Sequence, residues 1–313
     1  MNGVMTVGEI LVDILTKKIG QRLDKPGELL GPYPSEAPAI FIDQVAKMNV
    51  NGTIIAKVGD DGFGKLNIGR LEKDGVDTSN IIVSSEYTTG TAFATYYEDG
   101  SRDFIFHFPY SAAGNLIPEE IEEDIFNDYK YLHIMGCSIS ASPSMRRAVE
   151  KAVNLAGEHG LTISFDPNIR KELLKSKDII DSLHNMLSNS DIILTGKKEI
   201  EMMFENKSLD NTISLLKEMD VSIIIIKNGA EGINVYSKDD NFFVPPYQVE
   251  EVDPTGAGDC FDGVFIASMA EGINIRRAAQ LAAAAGALSV TKKGPMEGTV
   301  NKEVIIDFIE DYS

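Results

Sequence analysis

The residue types with the clearest chemical potential lie together in the run Asp253-Pro254-Thr255-Gly256-Ala257-Gly258-Asp259-Cys260-Phe261-Asp262-Gly263. Gly256 and Gly258 leave backbone N–H groups uncovered, and the apolar stretch VFIASMAEG that follows favours a helix. A helix start adds its own unpaired N–H groups and a partial positive charge, so the run suits an anion such as phosphate. Yet a carboxylate, Asp259, stands at the mouth of that anion site. Two readings are open. As a first-turn acid, Asp259 stabilises the helix dipole by about 0.3–1 kcal/mol. Beside a phosphate cradle, it supplies what phosphoryl transfer to an alcohol needs. The N–H groups of Gly256, Ala257 and Gly258 hold the charge that develops during transfer, and Asp259 accepts the proton of the attacking hydroxyl.

Such a site needs a scaffold. The 313 residues suffice for one large α/β domain, or one plus a small accessory element. The formal net charge of −19 is spread along the chain, which argues against nucleic acid and anionic membrane as partners. A local anion site inside an acidic protein is not excluded. Cys137 and Cys260 form neither a metal-type spacing nor a disulfide framework and read as small core residues. The N-terminus MNGVMTVGEILVDIL has no charged lead or cleavage site. No apolar stretch reaches the ~18 residues of a membrane span. The expectation is a cytoplasmic protein.

Short β-branched runs, VMTVGEILVDI, TIIAKVG, YLHIMG, LTISFD, DIILT and VSIIIIKNG, alternate with helical patterns such as FGKLNIGRLEKDG, SMRRAVEKAVNLAGEHG and SLDNTISLLKEMD. Near-continuous apolar strands between amphipathic helices predict a mostly parallel sheet covered on both faces. Ligands of such sheets bind beyond the carboxyl ends of the strands, here near Asp166, Thr195 and Asn228. Residues 91–108 break the rhythm with two alternating runs around Glu98-Asp99-Gly100-Ser101, a hairpin signal. It is either an edge extension of the sheet or a lid. No linker divides the chain, so 1–313 reads as one domain.

Several apparent motifs fail on inspection. GDDGFGKL (59–66) ends in Leu66, so the hydroxyl that holds Mg²⁺ in a P-loop is missing. GAGDCF has Phe261 where a dinucleotide fingerprint needs its third glycine. The four histidines are scattered, and His133 in an apolar strand reads as a core group.

Asp253 to Asp259, with Phe261 and Gly263, closely resembles the C-terminal signature of the PfkB (ribokinase-like) carbohydrate kinases. The resemblance extends over essentially the whole chain. Gly8-Glu9 to Asp13 is similar to the family's first strand, and Val58-Gly59-Asp60-Asp61-Gly62-Phe63-Gly64 to its V-G-x-D-x-F-G segment. Asp166-Pro167-Asn168-Ile169-Arg170 matches the D-P-N-x-R segment of the fructokinase, tagatose kinase and 2-keto-3-deoxygluconate kinase branch. Lys227-Asn228-Gly229-Ala230-Glu231-Gly232 resembles the nucleotide-side loop.

The resemblance implies a three-layer α-β-α fold with a small β lid. The lid is formed mainly by 91–108, with part of 14–34, and can pair two copies into a homodimer. It implies Asp259 with Gly256, Ala257 and Gly258 as catalytic residues, and Asp13, Ser35, Glu36, Asn168 and Arg170 as substrate-binding. ATP falls to Thr195, Lys227, Gly229, Gly232 and Gly258, and Mg²⁺ to Glu199 through water. It also implies a K⁺ site at Asp253, Thr255, Ser289 and Gly294, with Lys292 and Lys293 as an alternative source of that charge.

The departures bear on the acceptor. Where the family carries G-G-x-x-x-N, this chain reads Ser35-Glu36-Ala37-Pro38-Ala39-Ile40. Glu36 therefore either faces the substrate or is a solvated loop acid, and Asp43 or Gln44 could replace the lost asparagine. The family's N-x-x-E appears as Gly196-Lys197-Lys198-Glu199. An arginine that can face an acidic sugar is replaced by Phe108. The expectation is an ATP-dependent kinase for a primary hydroxyl of fructose or tagatose. The alternatives are 2-keto-3-deoxygluconate as acceptor, or a catalytically silent sugar- or nucleotide-binding regulator.

Overall fold

Alternate residues of the apolar strands face opposite ways, and both directions end in a buried cluster. Val4 joins one cluster and Met5 and Val7 the other, and the same split separates Ile54 from Ile55 and Ile225 from Ile224 and Ile226. This is the signature of a sheet between two helical layers. The computed structural model describes residues 2–98, 101–169, 176–204 and 207–312. Its strands are β1 (Gly3–Val7), β2 (Leu11–Thr16), β3 (Leu29–Ser35), β4 (Gly52–Gly59), β5 (Ile81–Ser84), β6 (Gly90–Tyr96), β7 (Arg102–His107), β8 (Tyr129–Met135), β9 (Thr162–Asp166), β10 (Ile192–Gly196), β11 (Ile223–Lys227), β12 (Ile233–Ser237) and β13 (Asn241–Val244).

The larger sheet has nine strands in the order β13-β12-β11-β10-β9-β8-β1-β4-β5, parallel except where β12 and β13 join antiparallel. Helices Ala37–Lys47, Ala257–Ala270 and Ile275–Ser289 bury one face, through Phe41, Phe265 and Leu281. Helices Pro143–Glu158, Lys177–Ser188 and Leu209–Glu218 bury the other, through Met145, Leu183 and Leu216. The three-layer fold is therefore as expected. Parallel register pairs Met135 with Asp166, and Gly196 with Lys227, so these strands finish side by side. No helix among the described residues is long and apolar enough to cross a membrane.

A second sheet of four strands, β3-β2-β6-β7, stands apart from the first. The expected hairpin is there, with Thr91 opposite His107 and Tyr96 opposite Arg102, although Asp99 and Gly100 lie outside the described residues. It makes only half of this sheet. The other half is the β2–β3 pair, joined to the hairpin through parallel pairing of β2 with β6. VMTVGEILVDI is thus two strands rather than one. The chain leaves the large sheet after Val7 and enters the small one at Leu11. Gly8, Glu9, Ile10 and Leu11 are all buried, so burial does not lapse at the crossing and only Gly8-Glu9 marks it in the sequence.

Candidate active site

Gly256 caps the helix Ala257–Ala270 at φ 84°, and a Cβ there would sit 2.6 Å from the Pro295 carbonyl. Only glycine takes that conformation in that space without strain. The helix start separates two cavities. One, of 250 Å³, is lined by Asp13, Glu36, Arg102, Asn168 and Asp259. The other, of 270 Å³, is lined by Gly229, Gly232, Tyr247, Phe261 and Ala283. Lys227, Pro254, Ala257 and Gly258 line both. Asp259 lies on the first side only, in the first helical turn and 6% exposed.

Asp259 is held from the end of β9. Asn168 adopts φ 38° and donates its backbone N–H to Asp166 Oδ1 at 3.0 Å, while its Nδ2 donates to Asp259 Oδ1 at 3.1 Å. Asn168 thus lines the cavity and also orients the carboxylate. Arg170 lies outside the described residues.

Lys227 ends β11 between two carboxylates, 3.0 Å from Asp166 and 3.0 Å from Asp262. Burial works against its charge, but Asp166, Asp262 and Glu199 outweigh it, and the ammonium titrates above the usual lysine range. Burial also pushes Asp166 up, but Lys227 more than offsets this and Asp166 is the anion of the group. Burial drives Asp262 well above the usual carboxylate range despite Lys227. Asp262, one turn after Asp259, was missed as a site residue. A second acid at that spacing looks like part of the signature, and nothing local reveals that it meets a lysine 35 residues earlier.

Glu199 accepts from the backbone N–H of Gly196 at 2.7 Å and of Ile169 at 2.9 Å, and lines the 250 Å³ cavity. Burial, with Asp166 beside it, raises its pKa. Thr195 is fully buried with its hydroxyl on the Gly196 carbonyl, and it lines neither cavity. Gly229 and Gly232 form the turn between the antiparallel strands β11 and β12. Both glycines line the 270 Å³ cavity, so the plain hairpin and the wall of that cavity are one feature.

In the 250 Å³ cavity, Asp13 comes from β2, Ser35 from β3, and Glu36 caps the helix Ala37–Lys47. Glu36 is only 6% exposed, so the solvated-loop reading fails. It keeps the glycine-like backbone of the position it occupies, at φ 90°, and its Oε2 accepts from Ala37 N at 3.3 Å. The ligand atoms of Glu9, Glu36 and Cys137 lie within 4.8 Å of one another. Asp43 and Gln44 do not replace the missing asparagine. Asp43 pairs with Lys47, Gln44 exchanges hydrogen bonds with the Val300 backbone, and neither lines the cavity.

Asp253 is 2% exposed; its Oδ1 accepts from Thr255 N and its Oδ2 from Gly294 N, both at 3.0 Å. Ser289 donates to the Gly286 carbonyl. Lys292 and Lys293 are exposed, neither is within ion-pair distance of Asp253, and neither lines either cavity. Phe108 is buried in the core beside Phe106. An arginine reaches the cavity all the same: Arg102, six residues earlier on β7, which motif reading passed over.

The decoys resolve as expected. Asp61 fills its own helix start, accepting from Phe63 N and Gly64 N, so the P-loop-like run has a carboxylate where a phosphate would sit. His133 stacks on Phe41 and bonds Ser164, and burial pushes it down to about 3, so it is neutral core.

The profile of the pfkB family of carbohydrate kinases matches residues 43–302. The chain is 30% identical over 318 residues to Probable fructokinase-3 of Arabidopsis thaliana, covering 98% of this chain and 91% of that protein. A protein described as Ribokinase II from E. coli, solved in complex with ATP and Mg²⁺, is 47% identical with a TM-score of 0.94, covering 99% of this chain and 100% of that one. A fructokinase double mutant from Vibrio cholerae O395, solved with fructose, ADP and potassium, shares the fold at 22% identity and TM-score 0.85, with 98% of each chain covered. The match over most of the chain agrees with the paired cavities and the glycine-capped helix between them, and the chain belongs to the pfkB family as an ATP-dependent carbohydrate kinase.

Proposed function

We propose that this kinase phosphorylates a primary hydroxyl of a neutral ketohexose, fructose or tagatose, with Asp259 as general base. The observation that carries the reading is the meeting of two cavities at Gly258, with Asp259 on one side only. The acceptor oxygen forms a bond to the γ-phosphorus, and the bond from that phosphorus to the β,γ-bridging oxygen breaks with its electron pair on ADP. The acceptor proton passes to the Asp259 carboxylate, whose orientation Asn168 sets. The helix start at Gly256–Gly258 steadies the charge on the moving phosphoryl group. Asp13, Ser35 and Glu36 hold sugar hydroxyls, and the Gly229–Gly232 turn walls the nucleotide.

Asp166 and Glu199 offer hard oxygen donors at the junction, a set that fits Mg²⁺, which takes one or two carboxylates and keeps water and phosphate oxygens. Both Glu199 oxygens already accept backbone N–H groups, which suits contact through water. When bound, Mg²⁺ neutralises phosphate charge. A buried Asp253 with no Lys or Arg in ion-pair distance, among the described residues, fits a monovalent cation beside the helix start. Exposed Leu29 and Ile105 on the small sheet suit pairing of two copies there.

One observation favours a second acceptor, 2-keto-3-deoxygluconate: Arg102 lines the acceptor-side cavity. Turnover of Mg·ATP measured across neutral ketoses and sugar acids tests both. The highest kcat/KM should fall to fructose or tagatose. A preference for the acid would promote the second reading, and no turnover with any sugar would reject both.

A further inference from the structure

We propose that Tyr312 is a positioning residue for the nucleotide, holding from a distant helix the Tyr247-Gln248 stretch that walls the 270 Å³ cavity. The inference rests on placing the nucleotide in that cavity. Pro246, Tyr247, Gln248, Val249 and Glu251 line it. They follow β13, which ends at Val244 before Pro245-Pro246, where two successive residues lack an N–H for a strand ladder. Residues 245–251 form neither helix nor strand. Among the described residues, no backbone–backbone hydrogen bond outside the helices and strands involves them, and the next anchor is Val252 N on the Val290 carbonyl at 2.8 Å.

Tyr312 supplies the hold that the wall's own backbone lacks. The Gln248 N–H donates to the Tyr312 phenol oxygen at 2.7 Å, across 64 residues of sequence. The same ring meets Tyr247 edge-on, with centroids 5.0 Å apart and planes at 74°. Phe308, one turn earlier on the helix Lys302–Tyr312, lies 5.4 Å from the Tyr247 ring and 5.8 Å from that of Tyr312. One side chain thus sets two consecutive wall residues, one by its ring and the other by its backbone. The helix has its own seat: Ile305 is fully buried, and Lys302 pairs with Glu271 at 2.6 Å. Tyr312 itself lines neither cavity.

The chemistry of the wall makes its position matter. The polar side chains lining this cavity are Lys227, Tyr247, Gln248 and Glu251. Lys227 is committed to Asp166 and Asp262, and the other three all lie on 245–251. The phosphates belong at the helix start by Gly258, so this stretch faces the nucleoside end. An aromatic ring beside an amide and a carboxylate matches the flat face and polar edge of a base. A wall that had to order on binding would lose affinity to that ordering. Tyr312 removes this cost before the nucleotide arrives.

The test titrates Mg·ADP by calorimetry, without sugar, into wild type, Tyr312→Phe and Tyr312→Ala. Phenylalanine keeps the ring and loses the acceptor oxygen, so Kd should rise about three- to tenfold. Alanine loses both contacts, and Kd should rise about tenfold or more. With the best sugar, KM for ATP should rise in step, while kcat and KM for sugar stay within about twofold. Unchanged Mg·ADP affinity in Tyr312→Ala would overturn the proposal. So would equal rises in KM for ATP and sugar, which mark a general loosening of the fold. In a Tyr247→Ala background, Tyr312→Ala should weaken Mg·ADP less than it does in wild type, and full additivity would show that Tyr312 does not act through the wall. Ala283→Phe, which fills the cavity from the neighbouring helix, tests the placement separately. If it leaves Mg·ADP affinity intact, the nucleotide lies elsewhere and the placement falls together with the inference. If it weakens Mg·ADP and Tyr312→Ala does not, the placement stands and the inference alone falls.

Discussion

The two cavities that meet at Gly258 are built from different materials. The side proposed for the nucleotide is mainly backbone and apolar surface: the Gly229–Gly232 turn, the helix start, Tyr247, Phe261, and Ala283 and Gly286 of the neighbouring helix. The side proposed for the acceptor is polar and charged side chains from separated segments: Asp13 on β2, Glu36 before a helix, Arg102 on β7, Asn168 after β9 and Asp259. A backbone-built wall serves any ligand with the same phosphates. A wall of side chains can be changed one residue at a time, and that is where this chain departs from its family's pattern.

The largest way to break the comparison is Asp259→Asn. The amide keeps size and can still meet Asn168, but cannot take the acceptor proton. If the two sides divide labour as their materials suggest, kcat falls by roughly 10²-fold or more while nucleotide affinity holds. If Asp259 only serves the helix dipole, the change costs at most about 1 kcal/mol of stability and leaves turnover near wild type. Steady-state kinetics with a calorimetric ATP titration separate the outcomes. A variant within tenfold of wild type would leave the base unassigned.

How much of this the sequence discloses follows the same division. The parallel sheet was legible because its strands are apolar on both faces, and the helix start because Gly256-Ala257-Gly258 is a contiguous signal. Gly232 was legible for a reason of its own: at φ 88° a Cβ would lie 2.5 Å from the Val244 carbonyl, so the hairpin demands glycine whether or not a nucleotide is near. Arg102 and Asp262 were not legible as site residues. Each meets a partner at least 35 residues away in sequence, Thr255 and Lys227 respectively. The second half of the small sheet was underestimated for a related reason. Its β2–β6 pairing is parallel and spans most of the first hundred residues, and no turn signal marks such a contact.

A smaller and sharper test is Glu36→Gly, which changes one side chain on the acceptor wall. Glycine suits φ 90°, so the substitution removes backbone strain of order 1 kcal/mol together with a cap hydrogen bond of similar size. Stability should move little. The order of sugars by kcat/KM should change, and KM for ATP should not. A panel of ketoses with the same ranking before and after would show that the Glu36 carboxylate does not set sugar choice.

The smallest effect should come from a group that belongs to neither wall. Asp43, on the helix that Glu36 caps, lies 3.1 Å from Lys47 and 3.8 Å from Arg70, while Asp74 lies 3.0 Å from Lys47 and 2.6 Å from Arg70. Burial, only partly offset by Lys47, pushes Asp43 up to about 6. Asp74 resists burial through its bonds to Asp43, Arg70 and Lys47 and titrates at about 2. The two shifts act on stability in opposite directions. Asp43 binds a proton more readily folded than unfolded, so its contribution is complete below about pH 4 and is lost as pH rises through about 6. Asp74 contributes above about pH 4 and loses that as pH falls through about 2. Between pH 4.5 and 7 Asp43 therefore dominates, and Asp43→Asn, neutral throughout, should flatten the fall in stability over that window by about 1–3 kcal/mol. Urea denaturation of both proteins at the two pH values measures the difference, and the buried Glu199 and Asp262 cancel because they are common to both. Because Asp43 lines neither cavity, KM for ATP and for sugar should keep their ratio. A changed ratio would show that the charge network behind Glu36 tunes the acceptor wall, and the division between the two sides would then extend into the core.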